Sequence, residues 1–186
     1  MRYPAGHKQE KRKELLKVSG ALIKEGGYAA TGIDSLMQAA GVTSGAFYSH
    51  FSSKTELLKA LVEHELFNSR ALWAEKPDAS VEEWLEFELD RYLNMRHVRH
   101  PEAGCMLPAL GAEIARSDVA VKEIYEQEML KVVAVLAQRL GCDERAWAFI
   151  CQMVGAMLLA RAMPTAAGQK TIIESSKHFL FNALSR

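Results

Sequence analysis

Apolar residues recur every three or four positions along nearly all of this 186-residue chain. Near the N-terminus, Leu15, Leu22 and Ile23 fall on one face of a helix, because an α-helix completes a turn in about 3.6 residues. Nowhere does a sustained alternation of apolar and polar residues indicate a half-buried strand. The spacing therefore predicts an all-α protein without a sheet.

Glycines, prolines and capping residues divide this pattern into about nine helices. Ser53 with Glu56, and Ser80 with Glu83, have the spacing of a capping box, in which each side chain accepts a hydrogen bond from the backbone N–H of the other residue. We also expect Asp143 to cap a helix. The predicted helices cover residues 8–26, 33–40, 44–50, 54–76, 81–93, 105–116, 119–140, 143–163 and 169–184.

The composition, with 49% hydrophobic and 25% charged residues, is that of an ordinary globular protein and excludes a mainly disordered one. No apolar run approaches the ~20 residues of a membrane span, and the polar, basic N-terminus is not a signal peptide. Cys105, Cys142 and Cys151 have no CxxC spacing, so we expect neither a disulfide framework nor a cysteine zinc site. These features predict a cytoplasmic protein with no membrane partner.

Charge is distributed unevenly along the chain. Residues 1–60 carry nine Lys and Arg against five Asp and Glu, a net charge of +4, whereas the whole chain has a net charge of zero. A basic segment in a neutral protein is typical of one part that meets a polyanion. Charge alone leaves chance as an equally good explanation.

Residues 33–51 carry the most specific signal. They predict two short helices joined by a turn in which Gly41 allows the positive φ of a sharp bend. The second helix begins with the small residues 44–46, which let its backbone approach base edges or a phosphate closely. This is the layout of a helix-turn-helix, whose second helix enters the major groove of DNA.

Residues 39–58 read AAGVTSGAFYSHFSSKTELL, and this segment closely resembles the DNA-binding domain of TetR-family transcriptional regulators. The resemblance covers about residues 8–60 and is carried by the aromatic pair, the His-Phe pair and the Ser-Lys-x-x-Leu-Leu run. Residues 155–162 are similar to the penultimate helix of many members. Met37 and the pair at 19–20 depart from the family pattern, and we expect altered packing between the first helices.

The resemblance implies a DNA-binding domain over residues 1–53 and an effector-binding and dimerisation domain over residues 54–186. It places Thr31, Tyr48, His50 and Lys54 at phosphates, and Thr43, Ser44, Gly45, Ala46 and Ser49 near base edges. Because this recognition helix has no Arg, Asn or Gln, base reading would use hydroxyls, methyl contacts, water and DNA shape. Taken singly, each side chain fits an ordinary packing or surface role, and only the combination favours DNA binding.

The resemblance, together with the composition of the C-terminal two thirds, implies a dimer and a ligand pocket. A very apolar helix with small residues would join the last helix in an intermolecular four-helix bundle, with a buried monomer core as the alternative. The predicted interface residues are Met153, Gly155, Ala156, Met157, Ala160 and Phe179.

Methionine adapts to varied apolar ligands, although it also fills ordinary cores. The predicted pocket residues are Trp84, Tyr92, Met106, Leu110, Met129 and Phe149.

These features predict a homodimeric regulator that binds a pseudo-palindromic double-stranded DNA operator, acts as a repressor and is released by a small molecule. We find no Gly-rich phosphate loop, HExxH motif or nucleophile elbow, and therefore expect no enzyme, no cofactor and no metal.

Two other functions stay open. In the first, Cys105 senses oxidants or electrophiles, because a helix N-terminus lowers a thiol pKa. In the second, the chain is a helical protein-interaction module with a degenerate helix-turn-helix. His97 and His100 near Cys105 form only a weak metal-ligand pattern.

Overall fold

The computed structural model describes residues 5–76 and 78–185, except for the side chains of residues 5–8 and 44. That part of the chain contains ten α-helices, one 3-10 turn and no strand. The helices are α1 (Ala5–Gly26), α2 (Ile33–Ala39), α3 (Ser44–Tyr48), α4 (Lys54–Trp73), α5 (Val81–Tyr92), α6 (Met95–Arg99), α7 (Leu107–Ala115), α8 (Val119–Leu140), α9 (Asp143–Ala162) and α10 (Ala166–Leu184). The predicted all-α fold is confirmed, and the nine predicted helices are present. The short α6 and the 3-10 turn Pro101–Ala103 lie in the predicted break before α7.

Side-chain caps begin several of these helices. Ser80 and Glu83 form the complete predicted capping box at α5, with both hydrogen bonds present. At α4 the hydroxyl of Ser53 accepts from the backbone N–H of Glu56, but the Glu56 carboxylate pairs with a lysine instead of completing the box. Asp143 is the first residue of α9 and not its cap. At that position its negative charge still interacts favourably with the positive end of the helix dipole.

α4 is the central element of the fold. Its N-terminal half packs against α1, and its length lies along α8. At Gly20, where a Cβ atom would come within 3.3 Å of Leu61, α1 approaches α4 closely. The C-terminal end of α4 places Trp73 among the rings of Trp84, Tyr92 and Phe149, at centroid distances of 5.6–6.4 Å. None of the described helices is both long and apolar enough to cross a membrane.

Polar contacts join the first three helices to the rest of the molecule. The Glu113 carboxylate on α7 accepts hydrogen bonds from the backbone N–H groups of Tyr28 at 2.8 Å and Ala29 at 2.7 Å. Lys24, near the end of α1, donates to Glu65 on α4 at 3.1 Å and to the Gly104 carbonyl at 3.0 Å. The turn after α1 is therefore held by groups from three separate parts of the chain.

Gly104 lies in this junction with no room for a side chain. A Cβ atom there would lie 2.2 Å from Cδ2 and 2.3 Å from Nε2 of the His97 ring. We expect Gly104→Ala to lower the free energy of unfolding by about 1–3 kcal/mol, as overpacking of a fixed side chain does. Urea titration followed by circular dichroism measures this difference.

The matched control is Gly111→Ala in α7, where no described atom lies within 4 Å of the added Cβ. An alanine in an open helix interior should raise the free energy of unfolding by about 0.5–1 kcal/mol. Equal effects of the two substitutions would contradict the close contact at Gly104.

Candidate nucleic-acid interface and adjoining cavity

The helix-turn-helix is built on a small buried core. Leu36 and Met37 of α2 and Phe47 of α3 are almost completely buried, and they fix the angle between the two helices. Gly41 has a φ of +64°, a conformation that costs a glycine little, and the N–H of Val42 donates to the Met37 carbonyl at 3.0 Å. The sharp turn predicted at this glycine is therefore present.

The outer face of α3 is polar and open to solvent. Thr43, Gly45 and Ser49 are exposed there, as is Tyr48, whose exposed fraction of 59% is high for a tyrosine. The Tyr48 ring packs edge-on against Phe47 at a centroid distance of 5.1 Å, which aims its hydroxyl outward. Three of the five predicted base-edge residues are therefore exposed together with the predicted phosphate contact Tyr48.

The other predicted contacts of α3 lie differently. Ala46 and His50 are half-buried at the edge of this face, and the His50 ring lies 6.4 Å from the Phe51 ring. Ser44 begins α3, but its side chain lies outside the described part of the structure.

Two predicted hydroxyl contacts already donate hydrogen bonds within the protein. The Ser49 hydroxyl donates to the Ala46 carbonyl, and the Thr31 hydroxyl donates to the Gly27 carbonyl, both at 2.7 Å. In this arrangement the Ser49 hydroxyl oxygen can only accept further hydrogen bonds, for which the amino groups of cytosine and adenine are suitable donors. Thr31 must turn its hydroxyl away from Gly27 before it can donate to a phosphate.

Lys54 also has a structural role. Its ammonium donates to the Tyr28 carbonyl and lies 4.4 Å from the centroid of the Tyr28 ring. Burial lowers the pKa of this lysine, while the nearby Glu113 carboxylate opposes that change. Removal of Lys54 would therefore disturb the turn after α1 as well as any phosphate contact.

Positive charge is also present on α1. The guanidinium of Arg12 lies 4.9 Å from the centroid of the Phe51 ring, which follows α3, and Lys13 and Lys17 of α1 are exposed. Arg12 was not among the predicted contacts. The signal that indicates it is the net positive charge of residues 1–60.

A cavity of about 510 Å³ lies where α1, α4, α5 and α6 meet the loop before α7. Its wall combines aromatic rings with charged and amide side chains: Trp73, Tyr92, Lys24, Glu65, Asn68, Arg91, Asn94, Arg96, His97 and His100. A much smaller cavity of about 20 Å³ adjoins it, and the two share Ser69, Trp73, Tyr92 and Cys105. Methionine and aliphatic side chains line the rest of the small cavity.

The structure corrects most of the predicted pocket. Tyr92 lines both cavities and Met129 lines the small one, whereas four predicted residues line neither: Trp84, Met106, Leu110 and Phe149. These four are instead buried in the core. Spacing cannot distinguish a side chain at a cavity wall from one packed on all sides. It also missed Lys24 and Trp73, which reach the cavity from α1 and α4.

His97 is neutral in this site. Burial lowers its pKa to about 4. Its Nε2 accepts the backbone N–H of Cys105 at 3.0 Å, so the proton is on Nδ1, which donates to the Tyr92 carbonyl at 2.8 Å. Among the described residues, no group of three His, Cys, Asp or Glu side chains is placed to hold a metal ion.

The prediction of a lowered thiol pKa at Cys105 is wrong. Cys105 precedes α7 rather than beginning it, and burial raises the pKa of its thiol. Its sulfur accepts the Leu107 N–H at 3.4 Å, a weak interaction that does not offset the loss of solvent.

The predicted dimer residues also require correction. Met153, Ala156, Met157 and Ala160 face inward and are buried within a single protomer. Gly155 is half-buried, and Phe179 is 61% exposed. The outward faces of α9 and α10 instead carry exposed large apolar side chains: Trp147, Leu158, Leu159 and Phe179.

Comparison with known proteins agrees with this geometry. Residues 15–61 match the sequence model described as "Bacterial regulatory proteins, tetR family". The transcriptional repressor KstR2 of Mycobacterium tuberculosis is 38% identical over 58 residues, which cover 31% of this chain and 29% of that protein. The TetC protein of transposon Tn10 from Escherichia coli is 32% identical over 102 residues, 48% of this chain and 52% of that protein. The chain thus spans less than a third of KstR2 and about half of TetC.

Similarity of fold extends further than similarity of sequence. The crystal structure of reduced E. coli NemR superimposes with a TM-score of 0.76 over 91% of this chain and 96% of that one, at 19% identity. At that level of identity the superposition shows a shared fold.

The neutral state of His97 predicts a pH dependence of stability. The unfolded chain binds a proton at His97 near pH 6.5, whereas the folded chain binds it only near pH 4. Unfolding therefore takes up a proton between these values, and this site should lower the free energy of unfolding by up to about 3 kcal/mol as the pH falls from 6.5 to 4. Urea titrations of the wild type and His97→Gln at several pH values test this.

The variant should be less stable than the wild type at pH 7.5, because it loses two hydrogen bonds, but its stability should fall less steeply in acid. Parallel pH profiles for the two proteins would contradict the assignment.

Proposed function

This chain belongs to the tetR family of bacterial regulatory proteins, and we propose that it is a transcriptional repressor that binds a pseudo-palindromic DNA operator. The observation that carries the proposal is the exposed polar face of α3, mounted on the buried side chains of Leu36, Met37 and Phe47. A helix so presented fits the major groove of B-DNA. The repressor assignment is supported by the name of KstR2, and the family is one of regulators rather than enzymes.

In this proposal, phosphate contacts position α3 and base contacts select the sequence. Tyr48 lies on the exposed face with its hydroxyl outward, and Arg12, Lys13 and Lys17 supply positive charge from α1. Ser49 and its neighbours offer short side chains, so much of the selectivity would come from DNA shape and bridging water. The protein would meet its operator in the cytoplasm.

A homodimer is part of the proposal, because a pseudo-palindrome requires two recognition helices about 34–36 Å apart. The exposed Leu158, Leu159 and Phe179 on α9 and α10 form an apolar face of the kind that marks an interface. We assign the interface to this outward face, in place of the inward-facing residues expected from the sequence. The two-helix face of one protomer would pack against its equivalent in a four-helix bundle.

A small molecule in the 510 Å³ cavity would release the operator. Lys24 of α1 lines that cavity and is held by Glu65 and the Gly104 carbonyl. A ligand that changes these contacts would favour a different position of α1 and hence of the helix-turn-helix. Release then requires that the ligand bind this second state more tightly than the DNA-bound one.

Reaction of Cys105 with an electrophile is the weaker alternative. Cys105 lines both cavities, but its raised thiol pKa reduces the fraction of reactive thiolate. A measurement of DNA binding distinguishes the main proposal from the alternative, in which the chain is a protein-interaction module.

The first experiment is operator selection from a random DNA pool, followed by fluorescence anisotropy at several salt concentrations. A DNA-binding protein loses affinity steeply as salt rises, because phosphate contacts release counterions. We expect Tyr48→Phe, which removes one hydroxyl, to weaken binding to all sequences alike by up to about tenfold. Ser49→Ala should instead change the preferred sequence.

The matched control is Tyr125→Phe, which removes the hydroxyl of a half-buried tyrosine on α8, outside the helix-turn-helix. It should leave both affinity and sequence preference unchanged. Salt-independent or undetectable DNA binding by the wild type would favour the interaction module over the proposed function.

A second experiment tests the dimer. Leu159→Glu places a charge on the outward apolar face of α9 and should convert the dimer to a monomer, because an unpaired carboxylate is costly to bury. Light scattering coupled to gel filtration measures the mass. Leu130→Glu on α8, which is 54% exposed against 58% for Leu159, is the control and should stay dimeric. A monomeric wild type at micromolar concentration would overturn the dimer.

A further inference from the structure

The wall of the 510 Å³ cavity has a chemical character of its own. It carries two aromatic rings, those of Trp73 and Tyr92, which stack with an interplanar angle of 29° and a centroid distance of 6.0 Å. The Arg91 guanidinium also lies over the Trp73 ring, so a planar ring in a ligand would meet this pair through edge-on contacts. The volume suits a small organic molecule.

The charge of this wall is positive. Lys24, Arg91 and Arg96 face one carboxylate, that of Glu65, so the lining has a net charge of +2. The Glu88 carboxylate behind the wall pairs with Arg91 and reduces this to +1. His97 stays neutral at physiological pH, since its pKa is about 4. An anionic ligand is favoured here and a cationic one is opposed.

The three cations differ in how they are held. Lys24 is bound by Glu65 and the Gly104 carbonyl, and the Arg91 guanidinium by Glu88 and the face of Trp73. Arg96 is exposed at the cavity, and within residues 5–76 and 78–185 no hydrogen bond or ion pair to its side chain is present. Arg96 is therefore the cation most ready to receive a carboxylate from a ligand.

The inner end of the cavity offers a polar group with a poor partner. The Tyr92 residue is 6% exposed, and the polar neighbour of its hydroxyl among the described residues is the Cys105 thiol, a weak acceptor. A carbonyl or hydroxyl oxygen on a ligand ring would be a stronger acceptor for this buried hydroxyl. The lining thus offers a cation and a hydroxyl donor, which match a ring that carries both an acid and a second oxygen substituent.

We propose that the effector of this protein is a small aromatic organic acid, whose ring packs against the edges of the Trp73 and Tyr92 rings and whose carboxylate binds Arg96. That this molecule acts as an effector rests on the proposed function, but its binding to the cavity does not depend on DNA. The carboxylate would also compete with Glu65 and the Gly104 carbonyl for Lys24, which joins the cavity to α1.

The test compares 2-naphthoate with its neutral isostere 2-naphthamide. Isothermal titration calorimetry measures the affinity of each compound without DNA. We expect the acid to bind at least about tenfold more tightly than the amide, as a charge-assisted hydrogen bond implies. Arg96→Gln should remove this preference.

The matched control is Arg99→Gln on the same short helix, because Arg99 is exposed but does not line the cavity. It should keep the wild-type preference for the acid. Equal binding of acid and amide, no binding of either, or equal effects of the two arginine substitutions would overturn the inference.

Operator release in fluorescence anisotropy is measured separately. If the acid binds through Arg96 but leaves the operator bound, the ligand class is supported and the proposed release is wrong. If only neutral compounds release the operator, the proposed release is supported and the acid is excluded as the effector class.

Discussion

The position of the helix-turn-helix depends on one carboxylate. Glu113 of α7 accepts the backbone N–H groups of Tyr28 and Ala29, and from the other side Lys54 of α4 donates to the Tyr28 carbonyl. Both polar groups of one residue in the turn after α1 are therefore fixed by side chains outside the first three helices. Hydrogen bonds to charged groups are about twice as strong as neutral ones, so this turn is a firm connection.

The same connection lies beside the cavity, and α4 reaches both. This helix begins at the Ser53 cap next to the recognition helix and ends at Trp73 in the cavity wall. Twenty residues of α-helix span about 30 Å, so a small rotation of α4 about one end displaces its other end. Lys24, anchored to Glu65 of α4, gives the cavity a second and more direct link to α1. Regulation in this protein would pass through packed helices and named polar contacts.

Helix positions and the helix-turn-helix were predictable because their signals are local. The Ser80–Glu83 capping box, the positive φ at Gly41 and the inward spacing around Phe47 each depend on residues within one or two turns. The apolar face that we propose for dimerisation was not predictable in the same way. α9 is apolar on both sides, so its sequence does not say which side faces the core, and the inward Met153 and Met157 were assigned to the interface in error. Most residues of the cavity wall were also missed, because they come from several helices and the sequence does not say which of their sides meet.

The sequence alone was sufficient for the all-α class, the order of helices and the family of the DNA-binding segment, since spacing and capping act over a few residues. Only the tertiary structure decided the chemistry of the individual groups. His97 is neutral and the Cys105 thiol is hard to ionise because residues distant in sequence bury them, and no local pattern reports that burial. In the sequence, Glu113 is indistinguishable from any other helical glutamate. Only the fold places it beside two backbone N–H groups that are more than eighty residues away in the chain.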